Sequence, residues 1–310
     1  MSDHIFGKDT FMKLKTRMDQ SIGKIESNQV YFADDGYLLG MYKEDTKQIT
    51  KNVNLINKWL QNINKKTYFM LIPNAIDIME DKLPFGAWND SQEKTRNFIK
   101  DNLYNEIIRV DPRPILMEHK KENLYFKTDH HWTMQGAFYG VQAFTKVANL
   151  KMPSPNEYHL KILTDNFLGS QYSKVPTGNS VPEQIAYFER NNGKYEISYD
   201  DNKQKSTTFI EENLLEHKDK YAAFLGGNHG KIEIKSNGLY DKRILCIKDS
   251  YANCMIPFLS DIYRDVFVVD LRFFRGDLDL YIKENEIDEI LFLYNVEFFN
   301  SDDNFLWLDQ

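Results

Sequence analysis

An α/β fold is predicted from three features of the 310-residue chain. Helical and buried-strand segments alternate before residue 112, an order that favours a sheet of parallel strands. The same rhythm resumes after residue 242 and ends on the strand-like run EILFLYNV. Between about residues 151 and 240 it is lost. That interval therefore reads as an irregular, partly β insertion within a single domain, 1–310, and not as an independent unit.

Taken in order, QVYFADDGYLLG (29–40) alternates apolar residues around Asp35-Gly36, a hairpin signal. Over 46–65, Val53, Ile56, Trp59, Leu60 and Ile63 recur at helical spacing. KTYFMLIP (66–73) is a buried strand stopped by Pro73. Phe98, Ile99 and Leu103 mark a helix over 90–105, and IIRVDP (107–112) is a short strand. A helix follows over 133–150 with Ala137, Val141, Phe144 and Val147 on one side and its N-cap in the Trp132–Thr133 region. The insertion holds Pro153, Pro155, Pro176 and Pro182, the polar run NNGKYEISYDDNKQKS and short alternating pieces such as KIEIKS. Beyond it, KRILCIKDS (242–250) is a buried strand and YANCMIPFLSDIYRD a helix containing Pro257. DVFVVDL (265–271) is a strand, GDLDLYIKENEID a helix opened by acidic residues, and EILFLYNV (289–296) the final strand.

Bulk properties narrow the function. A net charge of -7 and a pI near 5.6 argue against nucleic acid as a partner, because phosphate neutralisation needs a basic surface. A mean hydropathy of -0.56 and the lack of a long uncharged apolar run exclude a transmembrane helix. The polar, mixed-charge start MSDHIFGKDTFMKLKTRMDQ is no signal peptide. Aromatic residues make up 14%, enough to serve sugar platforms as well as the core. With only Cys246 and Cys254, neither a disulfide framework nor a cysteine-only zinc site can form.

Three short stretches carry chemistry. Ser250 ends the strand RILCIKD and opens the next helix, where free backbone N–H groups and the helix dipole suit an oxyanion; a serine N-cap is the competing reading. KTDHHWT places Asp129 and His131 two apart before a helix, so that alternate side chains share a side and can pair, with His130 facing away. A serine nucleophile needs such a base and such an orienting carboxylate; an Asx-type cap with two bystander histidines is the alternative. FLGGNHG (224–230) is a Gly-rich turn whose Asn228 amide could donate to an oxyanion, or a plain turn.

KTDHHWT, GGNHG and IKDSYAN, in that order, together with QVYFADDGYLLG, FLGSQYSKV and VVDLRFF, resemble the DHHW family of bacterial surface proteins. That family is similar to the alginate O-acetyltransferases of the SGNH-hydrolase superfamily. The resemblance covers most of the chain. It implies an SGNH-like three-layer α/β/α fold with a mainly parallel sheet, and a permuted Ser-His-Asp triad: Ser250 as nucleophile, His131 as general base and acid, Asp129 as orienting carboxylate. Asn228 or the Gly227 backbone would join the Ser250 N–H in the oxyanion hole. The implied reaction is acetyl transfer to a polysaccharide hydroxyl, without cofactor or metal. The acetyl donor would be supplied by a membrane-bound O-acyltransferase, and the protein would sit at the extracellular face of the membrane or the cell surface, held by an anchor missing from this chain. By position, Arg272, Arg275, Tyr294 and Trp132 are candidates to line the acceptor groove, with Trp132 also able to pack the helix start.

Two other functions remain open. Asp129-x-His131 and Gly227-Asn228-His229 match two ligand blocks of a metallophosphoesterase. No Gly-Asp-x-x-Asp lies between residues 132 and 226, however, and no histidine follows His229. The second alternative is a carbohydrate-binding surface protein with a decayed triad. Cys254, one helical turn after Ser250, and Cys246, in the buried strand, read as core.

Overall fold

The computed structural model describes residues 8–309; the reading of MSDHIFG as no leader lies outside them. A helix, Lys8–Ser21, comes first. An antiparallel meander follows, made of β1 (Glu26–Ser27), β2 (Val30–Phe32) and β3 (Leu38–Gly40). β2 and β3 flank Asp35-Gly36, where the sequence places a hairpin turn, and both turn residues have positive φ, 56° and 81°.

The rest is built on a large mixed sheet. β4 (Lys66–Ile72) and β5 (Ile108–Val110) are its first strands in sequence. β6 (Tyr158–Phe167) and β7 (Glu183–Arg190) pair only with each other, as a separate antiparallel ribbon. β8 (Tyr195–Tyr199), β9 (Gln204–Ser206), β10 (Lys231–Ser236), β11 (Tyr240–Lys248), β12 (Tyr263–Val269) and β13 (Glu289–Asn295) complete the sheet, in the order β5-β4-β13-β11-β12-β10-β8-β9. The five strands from β5 to β12 are mutually parallel. β10, β8 and β9 continue the sheet antiparallel.

This corrects the reading of 151–240 as an insertion outside the α/β rhythm. Only β6 and β7 stand apart; β8, β9 and β10 extend the central sheet. The polar run that hid β8 is one-sided: Ile197 and Tyr199 are buried while Glu196 is exposed. That alternation belongs to a strand near a sheet edge.

β4 and β13 are buried almost throughout, as parallel strands covered on both faces must be. Adjacent residues of β4 serve opposite faces. Tyr68 meets Phe144 of the helix Met134–Ala148 edge-on at 5.1 Å. Phe69 meets Phe299 of the helix Val296–Ser301 at 5.4 Å. Among the described residues no helix is long and apolar enough to cross a membrane. The first helix is held by polar contacts: Asp19 takes Lys24 at 2.8 Å and Ser27 at 2.7 Å, and Lys15 donates to Ser27 at 2.7 Å. Phe11, Leu14 and Met18 of the same helix are exposed.

Candidate active site

In open sheets of parallel strands, reactive groups gather where the carboxyl ends of strands meet loops and helix starts. Here the segment 126–131 is a closed loop, pinched by a bridge between Tyr125 and Trp132. Phe126 N–H donates to His131 O at 3.3 Å, and Thr133 N–H to Leu124 O at 2.9 Å. Thr133 then caps the helix Met134–Ala148 by accepting from Gly136 N–H at 3.3 Å. From the opposite side Glu183 holds the loop, its carboxylate accepting Lys127 N–H at 2.8 Å and Thr128 N–H at 2.9 Å.

Within this loop Asp129 Oδ1 accepts from His131 Nδ1 at 2.6 Å and from the His131 backbone N–H at 2.9 Å. Its Oδ2 accepts Ser170 N–H at 2.7 Å. Burial alone would raise the Asp129 carboxyl. The opposing pull of His130, His131 and the Ser170 N–H prevails and holds its pKa well below the ordinary carboxylate value. An ionised carboxylate only accepts, so the His131 proton sits on Nδ1 and Nε2 offers its lone pair. That nitrogen lies 2.9 Å from Ser250 Oγ. Tyr221 stacks on the His131 ring, centroids 3.7 Å apart and planes within 8°, so the imidazole cannot swing away from the serine.

Ser250 opens a helical turn, Ser250–Cys254, directly after β11, and its N–H is the first of that turn and has no acceptor within it. Asp249 caps the turn, accepting Tyr251 N–H at 2.9 Å and Asn295 N–H at 2.7 Å, while burial pushes its carboxyl up to about 7. Beneath lies the fully buried Lys248, whose ammonium contacts Asn253 at 2.8 Å, Asn228 at 3.1 Å and Asp270 at 3.3 Å. Burial lowers the Lys248 pKa. An open cleft of about 240 Å³ adjoins Ser250, walled in part by His130, Ser170, Gln171, Asn295 and Glu297.

Other sequence-predicted residues fall elsewhere. His130 does not face away: its ring packs on His131 at 3.8 Å, its Nδ1 meets Ser170 Oγ at 2.6 Å, and it lines the cleft. The alternation rule fails because 127–131 is a series of bends and not an extended strand. Burial, with His131 beside it, brings His130 down to about 4 and leaves it neutral near pH 7. Trp132 is wholly buried, donates to Tyr251 O at 2.8 Å and lies 2.7 Å from where a Cβ on Gly140 would sit, so it is an anchor with no face for substrate. Tyr294 is likewise sealed in β13. Arg272 grips Asp270 through two bonds of 2.8 and 2.6 Å and lies over the Phe298 ring at 4.7 Å. Arg275 is spent on the carbonyls of Leu271, Phe274 and Arg272.

The Gly227 N–H closes a turn onto Phe224 O at 3.2 Å and is not free for an oxyanion. The Asn228 amide oxygen faces Lys248. Both cysteines are buried, and burial raises their thiols, that of Cys254 to about 12. Asp129, His130 and His131 bring possible metal-ligand atoms within 4.8 Å of one another. His229, which a two-metal site would need, instead pairs with Asp200 at 2.9 Å.

Sequence reasoning missed Tyr221, Glu183, Gly169, Ser170 and Gln171. The last three lie in FLGSQYSKV, whose similarity to other sequences was the only sign of them.

No curated protein matches the chain. Among solved structures, a DHHW family protein from Eubacterium siraeum is similar at 23% identity and a TM-score of 0.76, over 92% of this chain and 96% of that one. PatB1 of Bacillus cereus, in a structure with a sulfonyl adduct, is similar at 23% identity and 0.74, over 90% of this chain and 99% of that one. The O-acetyltransferase domain of Pseudomonas putida AlgJ gives 12% identity and 0.55, over 88% of this chain and 92% of that one. At such identities these likenesses speak for the fold. A model of the DHHW protein family, however, matches residues 2–269, and the chain belongs to the DHHW family.

Proposed function

We propose that this chain is an O-acetyltransferase for a cell-surface or exported polysaccharide, working through an acetyl-serine at Ser250. The observation that carries the reading is the hydrogen-bonded line Asp129–His131–Ser250, with bonds of 2.6 and 2.9 Å, at the end of β11 beside an open cleft. His131 Nε2 takes the Ser250 proton as Oγ attacks the acetyl carbonyl, and Asp129 stabilises the imidazolium. The tetrahedral intermediate collapses, and the departing group takes that proton from His131. A sugar hydroxyl next gives its proton to His131 and attacks the acetyl-serine; the acyl–Oγ bond breaks, and Ser250 Oγ takes the proton back from His131. The Ser250 N–H serves the oxyanion, and Asn228 is the proposed second donor. Water in place of the sugar gives acetylesterase turnover.

This reading includes a single catalytic domain with SGNH-like three-layer architecture, a location at or beyond the cell membrane, and an acetyl supply from a membrane-bound O-acyltransferase. The AlgJ neighbour is an O-acetyltransferase domain, which supports the reaction class. The PatB1 neighbour carries a sulfonyl adduct, and a sulfonyl fluoride is the matching trap to try on Ser250.

The test is incubation with 4-nitrophenyl acetate and a panel of oligosaccharides, followed by mass spectrometry of enzyme and sugar. Acetyl on the Ser250 peptide and on one sugar class is the expected outcome. Ser250→Ala abolishes both, with its melting temperature unchanged within a few degrees; retained turnover in that variant removes Ser250 from the mechanism. Chelator-sensitive phosphatase activity would favour a metal at Asp129, His130 and His131 instead.

A further inference from the structure

Beside the Ser250 cleft lies a second, smaller recess of about 10 Å³, room for a single oxygen-sized group. Three residues, His130, Gln171 and Glu297, line both spaces, so the recess adjoins the cleft that Ser250 lines. Two of its polar side chains are more than nine-tenths buried: Asn74 at 6% exposure and Gln171 at 3%. Each leaves its amide oxygen without a hydrogen-bond partner among the described residues, Oδ1 of Asn74 and Oε1 of Gln171. Buried carbonyl oxygens are ordinarily paired, and an exception calls for a partner.

The orientation of Asn74 is fixed and not arbitrary. Its NH2 donates to Glu297 Oε2 at 2.8 Å, and its backbone N–H donates to Gln92 Oε1 at 3.0 Å. The side-chain oxygen must therefore point away from Glu297 as an acceptor. Asp129, on the same wall, already accepts from His131 and Ser170. What the two carbonyl oxygens lack is a hydrogen donor. They make the recess a poor seat for the methyl of an acetyl group, since a methyl group would leave both unpaired.

We propose that this recess recognises the acceptor by taking one of its hydroxyls, the neighbour of the hydroxyl that receives the acetyl group. The inference rests on the acetyl-serine reading above and adds the acceptor's chemistry: a vicinal diol, as on a pyranose ring. One hydroxyl donates to Asn74 and Gln171; the adjacent one is thereby set beside Ser250, with His130 between the two. Gln171 and Asn74 are specificity residues on this view, and neither moves a proton.

The experiment loads the enzyme from 4-nitrophenyl acetate and measures how the acetyl group partitions between water and added trans-1,2-cyclohexanediol or cyclohexanol at equal concentration. The expected result is a partition ratio favouring the diol by at least about ten-fold in the wild type, collapsing to near unity in Gln171→Leu. Equal partitioning in the wild type overturns the proposal without reference to any variant. A preference that survives Gln171→Leu overturns it as well, because something other than the recess then reads the diol. Better partitioning to trans-2-aminocyclohexanol than to the diol overturns the assignment to a hydroxyl. Undiminished 4-nitrophenol release and acetyl transfer in Ser250→Ala is a separate result that removes the acetyl-serine reading itself, and this inference with it.

Discussion

Gly169 is required by its neighbour and not by its own backbone. A Cβ there would stand 2.7 Å from Asp129 Cγ and closer still to Cβ and Oδ2, so any larger residue must push the carboxylate off His131. Gly169→Ala therefore lowers kcat/KM for an activated acetyl ester by about 100-fold although it removes no reacting group. It also costs stability of roughly 1–3 kcal/mol, as overpacking does. Wild-type activity in a folded Gly169→Ala protein would show that Asp129 tolerates displacement. Asp129, His131 and Ser250 could be read from the sequence because each is a chemically distinctive type at a strand end or helix start. Gly169, Tyr221 and Gln171 could not be, because their roles exist only once distant segments pack against the loop. The same limit explains Arg272 and Arg275: position near the end of β12 was legible, but the Asp270 carboxylate and the loop carbonyls that occupy them were not.

At the scale of elements, the helix Lys8–Ser21 is docked against its usual amphipathic sense. Its buried side chains include Thr16 and Asp19, while Phe11, Leu14 and Met18 are 67%, 57% and 59% exposed. The Lys24, Ser27 and Lys15 contacts hold the Asp19 pKa far below its ordinary value. A depressed carboxyl contributes stability that is present in full above about pH 4, its unfolded range, and lost as pH falls toward the folded value. Acidification below pH 4, or Asp19→Ala at neutral pH, thus frees this helix before the central sheet unfolds. Hydrogen exchange over residues 12–22 is the readout; protection that persists in Asp19→Ala would mean that other contacts dock the helix. Periodicity located the longer elements, including the helices Thr46–Leu60 and Met134–Ala148 and the buried strands β4, β11 and β13. It failed for β8 and β9, where a polar outer face and a two-sided choice of partner look like loop until the sheet edge is known.

For the whole molecule, the decisive fact is the position of β13. The last strand of the described chain lies between β4 and β11, in register with Lys66–Ile72 on one side and with Ile244–Lys248 on the other. Strand order of this kind is invisible to local pattern, because it is settled by pairing between segments far apart in sequence. A chain ending at residue 288 is expected to lack a cooperative melting transition by circular dichroism; a sharp transition in that fragment would show that β4 and β11 can associate without the strand between them. In sequence the loop of Asp129 and His131 follows β4 and β5, whereas Ser250 follows β11, on the other side of β13 in the sheet. During synthesis, then, His131 and Ser250 both precede the strand that joins the two halves of the sheet. On the acetyl-serine reading proposed above, a chain stopped at residue 288 carries Asp129, His131 and Ser250 without the strand between β4 and β11. It is expected to show no acetylesterase turnover, which would make completion of the polypeptide a condition for activity.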